Sequence, residues 1–235
     1  MRIQRFLARA GLASRREAKA LIEKGLVKVN GKVIYEPFFR VNPKEDLVEF
    51  KDTPVKIPEF WTYIILNKPR KVITTVSDEL GRKTVMDFIS SKEKGLVPVG
   101  RLDVESEGLI LITNDGDLVH GLTHPSFEIE KEYEVTLPRT PGNELKKMEE
   151  GIWIGDEHLK ASRVIFKKGN RLNITLKEGR NREIRRMLGM LGYRAERLKR
   201  IRIGNLKVSG LKTGQWRRLT PNEVSKLKGL VYGKN

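Results

Sequence analysis

The chain has 235 residues, a formal net charge of +17 from 47 Lys and Arg against 30 Asp and Glu, and no cysteine. That length has room for a small module beside a larger domain, and the excess of cations calls for a polyanionic partner, nucleic acid first. The lack of cysteine excludes disulfides, thiolate catalysis and thiolate-bound zinc, and no apolar run has the length of a membrane span or the form of a signal segment.

Residues 1–50 read as a compact module. Ile3, Phe6, Leu7 and Ala10 recur at helical spacing, and Gly11 ends that helix. Ser14 opens Ser-Arg-Arg-Glu, a capping box completed by Glu17. Ala18, Leu21 and Ile22 form the apolar face of this second helix and Gly25 stops it. Val27 and Val29 alternate ahead of Asn30-Gly31, a hairpin signal, and Val33 follows. Over the first 34 residues nine cations (Arg2, Arg5, Arg9, Arg15, Arg16, Lys19, Lys24, Lys28 and Lys32) face only Glu17 and Glu23. Most charge runs are merely solvated, but so one-sided a balance reads more economically as phosphate contact. The stretch from Leu12 to Lys32 also resembles the S-four-type RNA-binding module of the ribosome. That resemblance implies RNA contacts at Arg5, Ser14, Arg15, Arg16 and Lys19.

Residues 51–60 contain Pro54 and Pro58 and show no periodicity, as expected of a linker. A second domain, 61–235, then begins with a strand from Trp61 to Leu66 that ends at Asn67-Lys68-Pro69. Val72–Val76 reads as a second strand, and Thr84 with Asp87 caps a short helix running through Ile89. Leu109–Thr113 has the length and composition of a buried strand. Gly100-Arg101-Leu102-Asp103 precedes it. An acidic residue in a loop feeding a central strand is held rigidly yet reaches a cleft, although Asp also closes ordinary turns. Spacing alone leaves those two readings of Asp103 open.

Further along, Leu118-Val119 reads as a turn or two of helix, and Lys131–Leu137 alternates as a strand with Tyr133, Val135 and Leu137 on one face. Residues 143–150 form a helix, Ile152–Ile154 a short strand, and 161–166 with 172–176 a hairpin around Lys168-Gly169-Asn170. Asn181 is placed as the cap of a helix buried along Ile184, Met187, Leu188 and Leu191, with Arg182, Arg185 and Gly189 on another face. From Lys177 to Arg218 there are fourteen Lys or Arg against three Glu. Leu198, Ile201 and Ile203 supply the apolar side of the next strand. Thr220-Pro221-Asn222-Glu223 caps a last helix expected through Leu227, with frayed residues after it.

Gly100–Asp103 followed by Glu107–Gly116 resembles the signature of pseudouridine synthases, in particular the branch that modifies ribosomal RNA and carries an N-terminal RNA-binding module. Lys131-Glu132-Tyr133 and Glu183-Ile184-Arg185-Arg186-Met187 are similar to two further motifs of that family. The resemblance implies that Asp103 is the catalytic carboxylate, that Tyr133 stacks on the target base, and that Arg185, with Arg186 as second choice, pairs with Asp103. Arg101, Arg182 and Arg186 are then expected on the RNA. The implied fold is α+β: a central mixed, largely antiparallel sheet with flanking helices, preceded by a small αα-hairpin-type module. The implied reaction isomerises one uridine of ribosomal RNA, the large subunit's by phrasing, and needs no cofactor and no metal. The chain is expected to be cytoplasmic, monomeric and free of membranes. A non-catalytic RNA-binding or ribosome-assembly factor is the main competing reading, and a metal-dependent nuclease using Asp103, Asp115 and Asp117 a distant one.

Overall fold

A computed structural model describes residues 1–90 and 95–233. The chain divides into two compact units, the first comprising residues 1–63 with short stretches at 95–97 and 113–116, the second 64–90, 98–112 and 117–233.

In the first unit, α1 (Ile3–Arg9) and α2 (Arg15–Glu23) precede β1 (Val27–Val29), β2 (Lys32–Ile34), β3 (Val48–Phe50) and β4 (Thr53–Pro54). The capping box is present as read: Ser14 Oγ accepts from Glu17 N at 3.3 Å and Glu17 Oε2 accepts from Ser14 N at 2.8 Å. Asn30 and Gly31 both take positive φ, as the tight β1–β2 hairpin requires. The strands lie in the order β2-β1-β3-β4. Ile3, Phe6, Leu7, Ala18, Ile22, Val27, Val29, Val41 and Val48 close the core, each fully buried aliphatic or aromatic side chain contributing about 1.5–3 kcal/mol.

Residues 51–60 are not simply a linker. Lys51 and Asp52 turn with positive φ, Thr53–Pro54 pairs with β3, and Val55 and Ile57 pack on the first core. Pro54 is tolerated there because β4 is an edge strand and its missing N–H faces no partner. Thr62 N donates to Asn114 Oδ1 and Tyr63 Oη to Asp115 Oδ2, both at 2.8 Å, which ties the Asn-Asp-Gly turn into this unit.

The second unit is built on one mixed sheet. Its elements are β5 (Tyr63–Lys68), β6 (Val97–Pro98), β7 (Glu107–Thr113), α3 (Gly116–Thr123), β8 (Lys131–Thr136), α4 (Lys147–Glu150), β9 (Ile152–Ile154), β10 (Glu157–Leu159), β11 (Arg163–Phe166), β12 (Arg171–Leu176), α5 (Glu183–Met190), β13 (Arg197–Ile203), β14 (Leu206–Lys207), β15 (Trp216–Arg218) and α6 (Pro221–Tyr232). The sheet order is β11-β12-β8-β13-β7-β5-β15, with β14 beside β13 and β6 beside β7. The β11–β12, β12–β8, β8–β13 and β15–β5 pairs are antiparallel, and β13–β7 is parallel. The α+β architecture read from sequence is therefore correct. The β7 segment is buried at every position, as a strand covered on both faces must be.

Four local expectations change. Residues 72–76 form no strand beyond a single bridge from Ile73 to Thr84. β9 turns back through β10 as a separate hairpin. α6 continues to Tyr232 because Val231 buries against the domain, holding a last turn that looked frayed. The cap of α5 is Arg182 in the left-handed region, φ 48°, and not Asn181; the first turn is closed instead by Glu183 Oε2, which accepts from Arg180 N at 3.0 Å.

Candidate active site

Asp103 sits in the loop between β6 and β7, and its own carbonyl and those on either side of it are hydrogen-bonded. Thr74 Oγ1 donates to Leu102 O at 2.8 Å, Lys71 N to Val104 O at 2.7 Å, and Ser106 N to Asp103 O at 3.0 Å. Beneath the loop lies Lys68, the last residue of β5, with no exposed surface. Its ammonium donates to Ser106 O at 2.8 Å, Pro69 O at 2.9 Å and Asp103 O at 3.3 Å. Burial pushes the Lys68 pKa down to about 8, against the attraction of Asp103 and Glu107. The cation is thus spent on holding the loop, and Asp103 is presented on a rigid turn.

The half-buried Asp103 lines a cleft of about 430 Å³, within the range of small-molecule sites. Gly100, Arg101 and Ser106 come from the same loop, Lys131 and Tyr133 from β8, Leu198, Arg200 and Ile203 from β13, and Arg180, Arg182 and Glu183 from the approach to α5. Lys131 and Tyr133 share a strand face because they are two residues apart. Arg200 is the cross-strand partner of Tyr133 and Ile203 that of Lys131. Residues three apart would point to opposite faces of a regular strand. A bulge between Arg200 and Arg202 inserts Ile201 and restores the phase. The buried side of β13 is consequently Leu198, Arg200 and Ile203, and Ile201, expected among them, is only half-buried.

Gly108 makes this floor possible. It pairs with Arg200 across the parallel β7–β13 contact at φ 103°, and a Cβ there would lie 2.2 Å from Arg200 O. Only glycine allows the two backbones to approach so closely.

The family model for RNA pseudouridylate synthase matches residues 62–189, and that for the S4 domain matches residues 1–47. Ribosomal large subunit pseudouridine synthase B of Bacillus subtilis (strain 168) is 40% identical over 100% of this chain and 98% of its own length. An RNA pseudouridine synthase of Aquifex aeolicus (strain VF5) is 41% identical, covering 99% of this chain and 96% of the relative. A crystal structure of a pseudouridylate synthase superposes with a TM-score of 0.71 at 30% identity, covering 97% of this chain and 99% of that one. The chain belongs to the RNA pseudouridylate synthase family. The S4 match falls on the basic N-terminal module.

The cleft of this synthase brings together Asp103, Tyr133, Arg101 and Arg182 of the residues singled out from sequence. Tyr133 is 8% exposed. Arg185 is not among them, and it makes no ion pair with Asp103 within 4.0 Å. Its Nη1 donates to Ala195 O at 3.2 Å and its Nη2 to Glu105 O at 3.5 Å. It lines a second concavity with Arg70, Glu105, Arg182, Gly189 and Tyr193, on the Arg182–Arg185–Gly189 face read from helical spacing. Burial lowers the Arg185 pKa, as does Arg182, while the charge of Asp103 raises it, so the two are coupled through space without touching. Arg186 is turned away and pairs with Glu157 of β10.

In the S4 unit, Ser14, Arg15, Arg16 and Lys19 are exposed, with Lys19 Nζ 3.7 Å from Glu23; Arg5 is half-buried on α1. Ser14 Oγ is engaged as the α2 cap. Asp115, once weighed as a metal ligand, is 4% exposed and accepts from Tyr63. Among the described residues, no group of three or more His, Asp or Glu is placed to hold a metal ion, and no helix is long and apolar enough to cross a membrane.

Two residues of the synthase escaped the sequence reading. Lys68 carried a weak signal, a charge closing an otherwise apolar strand. Arg200 carried a clearer one: it is in phase with Leu198, so period two puts a cation on the apolar side of β13. Arg200 is 3% exposed, and its Nε donates to Leu109 O at 2.8 Å. Lys131 is pushed down to about pKa 8 by burial and by the charge of Arg200.

Proposed function

We propose that this synthase isomerises one specific uridine to pseudouridine in large-subunit ribosomal RNA, with Asp103 as the catalytic carboxylate and without a cofactor, as a cytoplasmic monomer. The observation that carries the reading is the placement of Asp103: on a turn whose carbonyls are held by Thr74, Lys71 and Lys68, facing a cleft floored by Tyr133. The reaction detaches uracil from C1′ of its ribose, turns it and rejoins it through carbon. It needs an ionised carboxylate near the glycosidic bond, acting as nucleophile or base, and an aromatic face against which the loose base rests. Asp103 and Tyr133 meet those two needs, and the uridine leaves its RNA stack to reach them. Arg185 supports the charge of Asp103 from a distance. Arg101 and Arg182 at the cleft rim, and Arg5, Arg15, Arg16 and Lys19 of the S4 unit, hold the RNA backbone. The choice of RNA rests on the full-length match to the Bacillus subtilis large-subunit enzyme.

Asp103→Asn tests the chemistry. Pseudouridine formation, read by tritium release from labelled uridine in ribosomal RNA, falls at least about a thousandfold while RNA affinity stays within about twofold. Activity within about tenfold of the unaltered protein would remove Asp103 from its role. Mapping pseudouridine in ribosomal RNA of a deletion strain identifies the target, and a lost site in the small subunit alone would overturn the choice of RNA.

A further inference from the structure

Arg200 has a buried nitrogen that the protein does not use. Its Nε is bonded to Leu109 O, its backbone is fixed between Gly108 and Tyr133, and its Nη2 is buried without any hydrogen-bond partner. Among the described residues, no carboxylate lies within 4.0 Å of its guanidinium. A buried cationic donor left in this state is costly unless a ligand completes it. The side chain lines the cleft that holds Asp103 and Tyr133. Ser106, 1% exposed, lines the same cleft, and its buried Oγ has no hydrogen-bond partner among the described residues. Two lining residues, each with an orphaned polar atom, point to a ligand with polar edge atoms.

The burial of Arg200 decides which part of a nucleotide it meets. The phosphates stay joined to the RNA on both sides and remain near the mouth, whereas the extruded base is the part free to reach the floor. We propose that Arg200 Nη2 donates a hydrogen bond to a carbonyl oxygen of the target uracil. The inference rests on this cleft being the uridine site. As the N1–C1′ bond breaks, its electron pair leaves with the base and the negative charge spreads onto the carbonyl oxygens. A guanidinium placed beforehand at one of them binds the detached base more tightly than the intact nucleoside, which is the condition for lowering the barrier. The bond strengthens further because the site is shielded from water. When C5 donates a pair to C1′ the negative charge of the base is neutralised; the C5 proton is then taken by a base and N1 gains one, and the hydrogen bond returns to ordinary strength.

The experiment uses the full-length enzyme and RNA carrying 2-thiouridine or 4-thiouridine at the target position, since sulfur accepts hydrogen bonds poorly. The unaltered enzyme is expected to lose at least about tenfold in single-turnover rate on one analogue relative to the other. Arg200→Met is expected to lose at least about a hundredfold on uridine, with RNA affinity within about twofold, and to show no difference between the analogues. Arg200→Lys, which keeps a charge, is expected to recover part of the rate. A merely structural Arg200 would lower the rate on all three substrates by the same factor, and that result overturns the proposal. Should neither variant fold, equal rates on the two analogues with the unaltered enzyme overturn it by themselves. If Asp103→Asn stays active, the assignment of the cleft fails; if Asp103→Asn is dead and Arg200→Met keeps the analogue difference, only the role of Arg200 fails.

Discussion

The cations of the S4 unit and those of the synthase cleft are the same residue types put to opposite uses. On α2, Arg15, Arg16 and Lys19 are exposed, Lys19 beside Glu23. Around the cleft, Lys68 and Arg200 are buried, hold backbone carbonyls and, among the described residues, have no carboxylate within 4.0 Å. Exposed charge gives affinity that salt screens, whereas buried charge gives geometry and a local field that salt hardly reaches. The formal charge of +17 is therefore divided between exposed and buried settings, which the total alone does not distinguish.

The sharpest way to break this contrast is at Lys68. Lys68→Met takes a donor from three carbonyls, two of them in the Asp103 turn, while relieving the burial of a charge. The expected net loss is about 1–3 kcal/mol of stability in urea unfolding, with at least about a tenfold loss in kcat because Asp103 is no longer held. A kcat within about twofold of normal would mean the turn is rigid without its ammonium. The pH dependence follows from the same residue. Its folded pKa, about 8, lies below the ordinary Lys value of 10.5, so between those limits the unfolded chain binds more protons and stability rises with pH. Comparing urea midpoints at pH 7.5 and 9.5, Lys68→Met is expected to show a smaller rise than the unaltered protein. An equal rise would assign the effect to other groups, Lys131 among them.

The exposed side of the comparison gives smaller effects. Replacing Arg15, Arg16 and Lys19 together by Ala is expected to reduce the slope of log affinity against log salt by about two to three. The kcat at saturating RNA should remain within about twofold. An unchanged slope would mean that α2 does not touch phosphate. Smallest of all, Ser14→Ala removes the cap of α2 and is expected to cost about 1 kcal/mol of stability. Because the exposed cations ride on that helix, RNA affinity should weaken only slightly; a large loss with intact stability would show that the Ser14 hydroxyl itself contacts RNA.

What the sequence revealed follows the range of the interactions involved. The Ser14, Thr84 and Thr220 capping boxes and the Asn30-Gly31 turn are written within four residues, and all are present. The α+β class and the meeting of Asp103 with Tyr133 in one cleft were expected from the resemblance of their motifs to a known family, not from spacing. The β4 edge strand was hidden by Pro54, since proline argues against a strand unless its place at the sheet edge is known. The Ile201 bulge, which restores Ile203 to the face of Arg200, depends on pairing with β8 and has no local mark. Arg185 makes no ion pair with Asp103 within 4.0 Å for a related reason. Helical spacing predicts which face a residue shares, and it does so correctly for Arg182, Arg185 and Gly189, but it does not say which acceptor lies nearest; Ala195 O and Glu105 O are closer to hand.

The pairing of β7 with β13 also sets an order of assembly. Ninety residues separate Glu107 from Arg197, which meet across it, so closing this part of the sheet carries the entropy of a long loop. The helices and hairpins in the first 55 residues connect near neighbours and close quickly. As the chain emerges, α1, α2 and their sheet are ready while the cleft still lacks Arg200, Leu198 and Ile203. The local elements of the first unit thus close before β13 reaches its place beside Gly108.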